Sequence, residues 1–358
     1  LSVPALSIRL GHVAPGADPA SYTDKRAYDA ISSAFGPGAN GTFTVVIQVD
    51  RSKTATAAQQ QALGQSVQRA LAAAPDVASA SPPKASPDGA LLVSTVVPGS
   101  SPQDAATGTL LTTLRGSTLP RALAGTGAQG YVTGNTSAQL DFQGQVASHL
   151  PVIIGVVIAA AFCLLLLTFR SPVLALKAAI LNLLSIGAAY GVIVVIFQWD
   201  WAGGLFGVSE PVPIESYIPM MMFAIVFGLS MDYEVFLLSR IREGWLATRD
   251  NHASVASGLG ATARVISCAA LIMASVFFSF LLSTNVVVKM LALGLGVSVL
   301  IDATVIRLLV VPASMFLLGR LNWWVPSWLD RWLPRLEPEP PAGRTAGPAA
   351  VPAVPHGG

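Results

Sequence analysis

The chain has 358 residues, of which 53% are hydrophobic and only 11% charged, with a formal net charge of +2. So low a charged fraction, against roughly 25% in a soluble domain, places much of the chain in lipid. The small, scattered charge, with no basic run longer than two residues, excludes a nucleic-acid partner.

The chain opens LSVPALSIRLGH, without Met and without the charged start of a signal peptide. Residues 1–10 therefore read as the end of an upstream hydrophobic helix, and the chain as a fragment. From 11 to 149 the pattern alternates. After a first helix capped near Ser21, TFTVVIQVD (42–50) reads as a strand and 55–73 as an Ala- and Gln-rich helix. DVASASPP (76–83) and ALLVSTVV (90–97) flank a turn containing Pro87, Asp88 and Gly89, a hairpin signal. A helix over about 102–123 and a strand in AQGYVTG (128–134) complete the order β-α-β-β-α-β, the split βαβ of ferredoxin-like domains.

From Asn135 the pattern is helical, and five stretches are apolar for about the 20 residues a bilayer requires: 150–169, 173–197, 217–238, 265–284 and 290–318. The loops after the first, third and fifth spans hold Arg170, Lys177, Arg240, Arg242, Arg249, Arg264, Arg320, Arg331, Arg335 and Arg344, whereas those after the second and fourth hold only Lys289. By the positive-inside rule the first group is cytoplasmic and everything before Leu150 lies outside. Trp199 and Trp201 then fall at the outer edge, and Trp245, Trp323, Trp324, Trp328 and Trp332 at the inner edge, as an aromatic belt. Trp324, Trp328 and Trp332 share one helix face, so 319–336 reads either as an amphipathic helix on the inner surface or as a helix packed on the bundle. The Pro-, Ala- and Gly-rich tail 337–358 reads as disordered. The fold class is an α+β membrane protein, a five-helix transmembrane bundle with an extracytoplasmic βαββαβ subdomain.

Polar residues inside the spans are the candidates for chemistry. An acid at the centre of a membrane helix costs ~2.5–3.5 kcal/mol on insertion scales, so such residues are rare and often mark ion or proton pathways. FGLSMDYEVFLLSRIREGW (227–245) holds Asp232 and Glu234, which at 100° per residue point to opposite sides. Asp232 shares its face with Gly228, which admits a close neighbour, and is the better candidate for the bundle interior; Glu234 has no assigned place. In GLGVSVLIDATVIRLL, Asp302 is preceded one turn earlier by Ser298, and Arg307 follows five residues later, off that face. For Asp302 a structural ion pair or hydrogen-bonded clamp weighs slightly more than a pathway. Asn182, Ser185, Ser267, Ser275 and Ser279 fit ordinary contacts between helices. Cys163 and Cys268 lie within spans and act as small apolar residues. The histidines lack metal-ligand spacing and enzyme motifs are absent, so neither catalysis, a metal nor a cofactor is expected.

GLSMDYEVFLLSRIRE (228–243) resembles the Asp-Tyr motif in the tenth membrane helix of the MMPL family of resistance-nodulation-division (RND) transporters. GATARVISCAALIMASVF (260–277) is similar to the segment leading into that family's eleventh span, and IDATVIRLLVVPA (301–313) to its twelfth. The resemblance covers nearly the whole chain except the tail and implies the C-terminal half of such a transporter, with 11–149 as its porter region. It further implies proton-driven export of lipids or other hydrophobic compounds across a bacterial inner membrane, with Asp232 and Tyr233 as the second-half proton relay. Only one such pair is present, whereas these transporters are pseudo-symmetric repeats. The implied partners are therefore membrane lipids, a hydrophobic substrate, and the N-terminal half of the same polypeptide or a second copy. The competing readings are a protein-export auxiliary of the same superfamily, and a non-pumping receptor or scaffold in which Asp232 is structural.

Overall fold

The computed structural model describes residues 2–50, 52, 56–208, 210–326 and 329. Val3–Ser7 form a single 3-10 turn, with the Ser2 hydroxyl donating to Leu184 O at 3.3 Å. A helical reading of 1–10 is met only by that turn, because the chain then extends as Leu10–Gly11 (β1) to pair in parallel with Ile214–Glu215.

Helix α1 spans Thr23–Phe35, and strand β2, Phe43–Gln48, follows. Helix α2, Ala57–Ala72, begins in a capping box: Gln59 N–H donates to Thr56 Oγ1 while Thr56 N–H donates to Gln59 Oε1. Next come β3 (Val77–Ala80), β4 (Lys84–Ala85) and β5 (Leu91–Pro98). Helix α3, Ala105–Thr113, continues through a π turn into α4, Leu119–Ala122, and β6 is Gln129–Thr133. The sheet runs β3-β5-β2-β6 with every pairing antiparallel, and β4 also pairs with β5. Alternation along β2 sends Phe43, Val45 and Ile47 to one face, where they are fully buried with Leu63, Val67 and Leu71 of α2 and Leu110, Leu111 and Leu114 of the α3 segment.

Helix α5, Asn135–Phe169, leaves this sheet directly. Gly134 makes the corner at φ 118°, where a Cβ would lie 3.2 Å from Thr42 O. At 1.5 Å per residue its 35 residues reach about 52 Å, enough to pack on the sheet and still cross a bilayer. Arg115 fixes the packed part by a two-pronged bond to Asp141, at 2.5 and 2.9 Å, and donates to Val132 O at 2.8 Å.

Helix α6 is Pro172–Ile193, continued by a π turn to Gln198; β7 is Ile214–Glu215; α7 is Ile218–Thr248; and α8 is Asn251–Ser279. Helix α9, Val286–Ile301, runs through a nine-residue π segment, Asp302–Val310, into α10, Val311–Leu318. These make five helical stretches long and apolar enough to cross a membrane, as the sequence reading expects. The stretches containing α6, α7 and α9 are the most buried, and those of α5 and α8 turn most of their apolar surface outward.

One end of the bundle gathers the basic residues. Helices α5 and α7 both stop on an arginine in the left-handed conformation, Arg170 and Arg249, whose amides bond back to Leu166 O and Trp245 O. Arg242 donates from Nη1 to Thr168 O at the same end. Trp245 and Trp323 stack there with ring centres 5.5 Å apart. At the opposite end Trp199 and Trp201 are exposed. Of the helix expected over 319–336, Gly319–Trp323 is a 3-10 turn; Trp328, Trp332 and the tail 337–358 lie outside the described residues.

Candidate functional site

The site follows from which residues of α7 pack inward. Phe223, Phe227, Ser230, Glu234, Leu237, Leu238 and Ile241 recur at spacings of three and four and are all buried. This stripe takes Glu234 into the bundle, 5% exposed. The opposite ridge, Ala224, Gly228, Asp232 and Phe236, repeats every four residues and is exposed along its whole length. Within this chain, then, the faces are the reverse of the reading that sends Asp232 to the interior. Six apolar and hydroxyl positions on the Glu234 side outweigh Gly228, which alone favours the other side and has nothing within 4 Å of an added Cβ.

A second departure concerns Arg307. On an α-helix a residue five positions on stands about 140° away, which puts Arg307 off the Asp302 face. The chain winds instead as a π-helix here, with the Val311 amide bonding to Ile306 O, five residues back. The wider turn returns Arg307 to Asp302, and its Nε donates to Asp302 Oδ2 at 2.8 Å. Both side chains are nearly fully buried.

Around this ion pair the three innermost spans supply one polar layer. Ser230 Oγ of α7 lies 2.9 Å from Asp302 Oδ1 and contacts Asn182 Oδ1 of α6. Arg307 Nη2 donates to Ser230 Oγ at 2.9 Å and also to the Ser230 carbonyl, an acceptor inside a helix. The arginine thus satisfies a carboxylate and clamps α7 to the π segment. Its guanidinium carbon also sits 5.5 Å over the Tyr233 ring, a cation–π contact, while Tyr233 Oη reaches Met273 Sδ at 3.5 Å. Ser298 is fully buried one turn before Asp302, and its hydroxyl makes no hydrogen bond. The same holds for Ser185 Oγ, Asn182 Nδ2, Glu234 Oε1 and Lys177 Nζ.

The structure therefore joins Tyr233 and Asp302 in one layer with Ser230, Asn182 and Arg307, leaves Ser298 buried one turn from Asp302 without a bond to that layer, and places Asp232 on the far side of α7. Lys177, Arg307 and Ser230 carry no signal as an isolated motif; the stripe of buried positions on α7 is what points to Ser230 and Glu234. The described residues contain no group of three His, Cys, Asp or Glu able to hold a metal. Cys163 and Cys268 are free and exposed, on α5 and α8.

The MMPL family pattern matches residues 17–338. The chain belongs to the MMPL family. MMPL relatives include the "Heme uptake protein MmpL11" of Mycobacterium tuberculosis, 37% identical over 92% of this chain and 33% of that protein. The "Mycolic acid-containing lipids exporter MmpL11" of Mycolicibacterium smegmatis is 36% identical over 92% of this chain and 34% of that protein. The "Trehalose monomycolate exporter MmpL3" of M. tuberculosis is 36% identical over 61% of this chain and 22% of that protein. The chain spans about a third of the length of its MmpL11 relatives. As an MMPL chain it is homologous to transporters, and its five apolar helices make it a multi-pass membrane protein.

Proposed function

We propose that this chain is the C-terminal half of an exporter of lipids or other hydrophobic compounds driven by the proton gradient, with Asp232 and Tyr233 as its half of an intramembrane proton relay. The observation that carries this reading is Asp232 itself, an acid midway along an apolar helix, on an exposed ridge with Ala224 and Gly228 beside it. Small residues let a second helix approach closely, so the ridge suits a partner helix bearing its own polar pair. Tyr233 links this ridge to the buried layer through Arg307. The sheet-bearing portion is read as a ferredoxin-like porter subdomain, supported by the order β2-α2-β3-β5-α3-β6, to which the two-residue β4 is added, and by the continuity of α5 from the sheet into the bundle. Concentration of arginines at the end opposite that sheet supports an extracytoplasmic porter and an inner-membrane location.

Lipid as substrate rests on what the M. smegmatis MmpL11 and M. tuberculosis MmpL3 are named for. Uptake of heme, named for the M. tuberculosis MmpL11, is the second reading. Full-length protein in proteoliposomes, loaded with a fluorescent glycolipid or with hemin under an imposed pH gradient, separates the two. Asp232→Asn is expected to abolish gradient-dependent movement of the glycolipid. Undiminished gradient-dependent flux in that variant overturns the relay, and misfolding of the variant favours a structural Asp232 in a receptor or scaffold.

A further inference from the structure

The buried face of α7 carries a charge that the relay does not use. Glu234 is 5% exposed, and its Oε1 makes no hydrogen bond. Lys177, on the adjacent α6, keeps its Nζ buried, and that ammonium makes no hydrogen bond either. Arg307 and Asp302 from the π segment act electrostatically on Glu234, and Lys177 adds a smaller contribution. Leaving a buried charged atom without a hydrogen bond is among the costliest arrangements in a protein interior. Two such atoms of opposite sign, on neighbouring helices and without a direct ion pair, are unlike the Asp302–Arg307 pair, which the protein saturates.

The contrast with that pair is chemical. Asp302 accepts bonds on both oxygens, from Ser230 and from Arg307, and arginine stays charged at any ordinary pH. Glu234 Oε1 is unbonded and the adjacent α6 carries Lys177, and lysine is the cation that adapts when buried. Ionised, Glu234 is balanced by Lys177 and Arg307; protonated, it needs only one acceptor, such as a water shared with Lys177. Both forms can be accommodated by the same groups.

We propose that Glu234, with Lys177 as its charge partner, is a second proton-exchange station, inside this half of the bundle and separate from the Asp232 ridge. On uptake an O–H bond forms at Oε1 and the carboxylate charge disappears while Lys177 remains an ammonium; on release the proton returns to water and the carboxylate charge returns. Lys177 lies only five residues beyond Pro172, the start of α6 at the end that gathers Arg170 and Arg242, so that end is the shorter way to water. The station rests on the proton-driven reading for its purpose, because it gives a proton leaving Tyr233 a place beyond Arg307.

Infrared difference spectroscopy of the full-length protein in a lipid film, titrated with buffer, tests this without a transported substrate. The carbonyl stretch of a protonated buried carboxyl is expected to appear on acidification, to be absent in the isosteric Glu234→Gln variant, and to survive in Asp232→Asn. In Lys177→Met, which removes the cation, the band is expected to persist to a pH about one unit higher. Lys177→Arg is the control for folding and is expected to keep the band while moving its midpoint. Spectra of Glu234→Gln that superimpose on the wild type throughout the titration overturn the proposal. The relay reading fails separately, if Asp232→Asn removes no titrating signal of its own and leaves gradient-dependent flux intact.

Discussion

The two faces of α7 solve the same problem in opposite ways. Each carries an acid within a span, two residues apart and therefore about 200° around the helix. Glu234 is met from within the chain by Lys177 and Arg307, and the layer beside it ties α6, α7 and the π segment together through Ser230, Asn182 and Asp302. Asp232 makes no hydrogen bond or ion pair with any described residue and stands on a ridge of small and apolar side chains. An acid with cations of its own chain around it can change its charge without a partner from outside. An acid left open on an apolar ridge is free to meet a neighbour from outside the described residues; the chain covers about a third of the length of its MmpL11 relatives.

The largest effect is expected where the buried face is broken. Arg307→Met leaves Asp302 charged, buried and deprived of its main partner, a loss of about 3–5 kcal/mol for a disrupted internal ion pair. Thermal unfolding of the full-length protein in detergent should show a large drop in midpoint. The double change Asp302→Leu with Arg307→Met removes both charges and is expected to recover most of that loss, which distinguishes an unpaired charge from lost packing. Recovery of nothing would mean that the clamp on the Ser230 carbonyl, not charge balance, is what Arg307 contributes.

A pair of glycines probes the same contrast at smaller scale. A Cβ on Gly258 of α8 would stand 2.6 Å from Ile241 Cγ1 and 3.0 Å from the Ile241 backbone nitrogen, so Gly258→Ala must push α7 and α8 apart. Overpacking of this kind costs about 1–3 kcal/mol. Gly228→Ala meets nothing within 4 Å in this chain. If the open ridge is covered closely by another part of the full-length protein, that change too should lower the unfolding midpoint, by an amount that grows in Gly228→Leu. Indifference of the full-length protein to both would leave the ridge facing lipid.

Much of this architecture is written plainly in the sequence, and the exceptions have identifiable causes. The five apolar stretches and the alternating strands are long-range composition and period signals, and Phe43, Val45 and Ile47 land on the core face as alternation requires. The Asp232–Tyr233 pair is recognisable as a motif. What the residues alone misplace are faces. Gly228 suggests a close helix neighbour for Asp232, but in this chain Phe223, Phe227, Leu237 and Ile241 decide the buried side. Arg307 is misread because a 3.6-residue period is assumed across a segment that winds with i to i+5 bonds, and no residue type announces a π-helix. Lys177 is read as a cytoplasmic marker because its position near a helix start is visible and the burial of its ammonium is not.

The smallest expected effect on stability is the one on which the functional reading turns. Asp232→Asn keeps size and shape, disturbs no hydrogen bond among the described residues, and removes a charge from an exposed position, so the change in unfolding free energy should stay within about 0.5 kcal/mol. Glu234→Gln, two residues away, alters a group coupled to three buried charges and should shift stability measurably in the same assay. A folded Asp232→Asn protein without gradient-dependent flux, beside a Glu234→Gln protein of altered stability, would separate the two acids by role as the helix separates them by face. Comparable destabilisation by both substitutions would instead place Asp232 in a packed interface of the full-length protein, where its charge is already balanced and its part in moving protons has to be argued from flux alone.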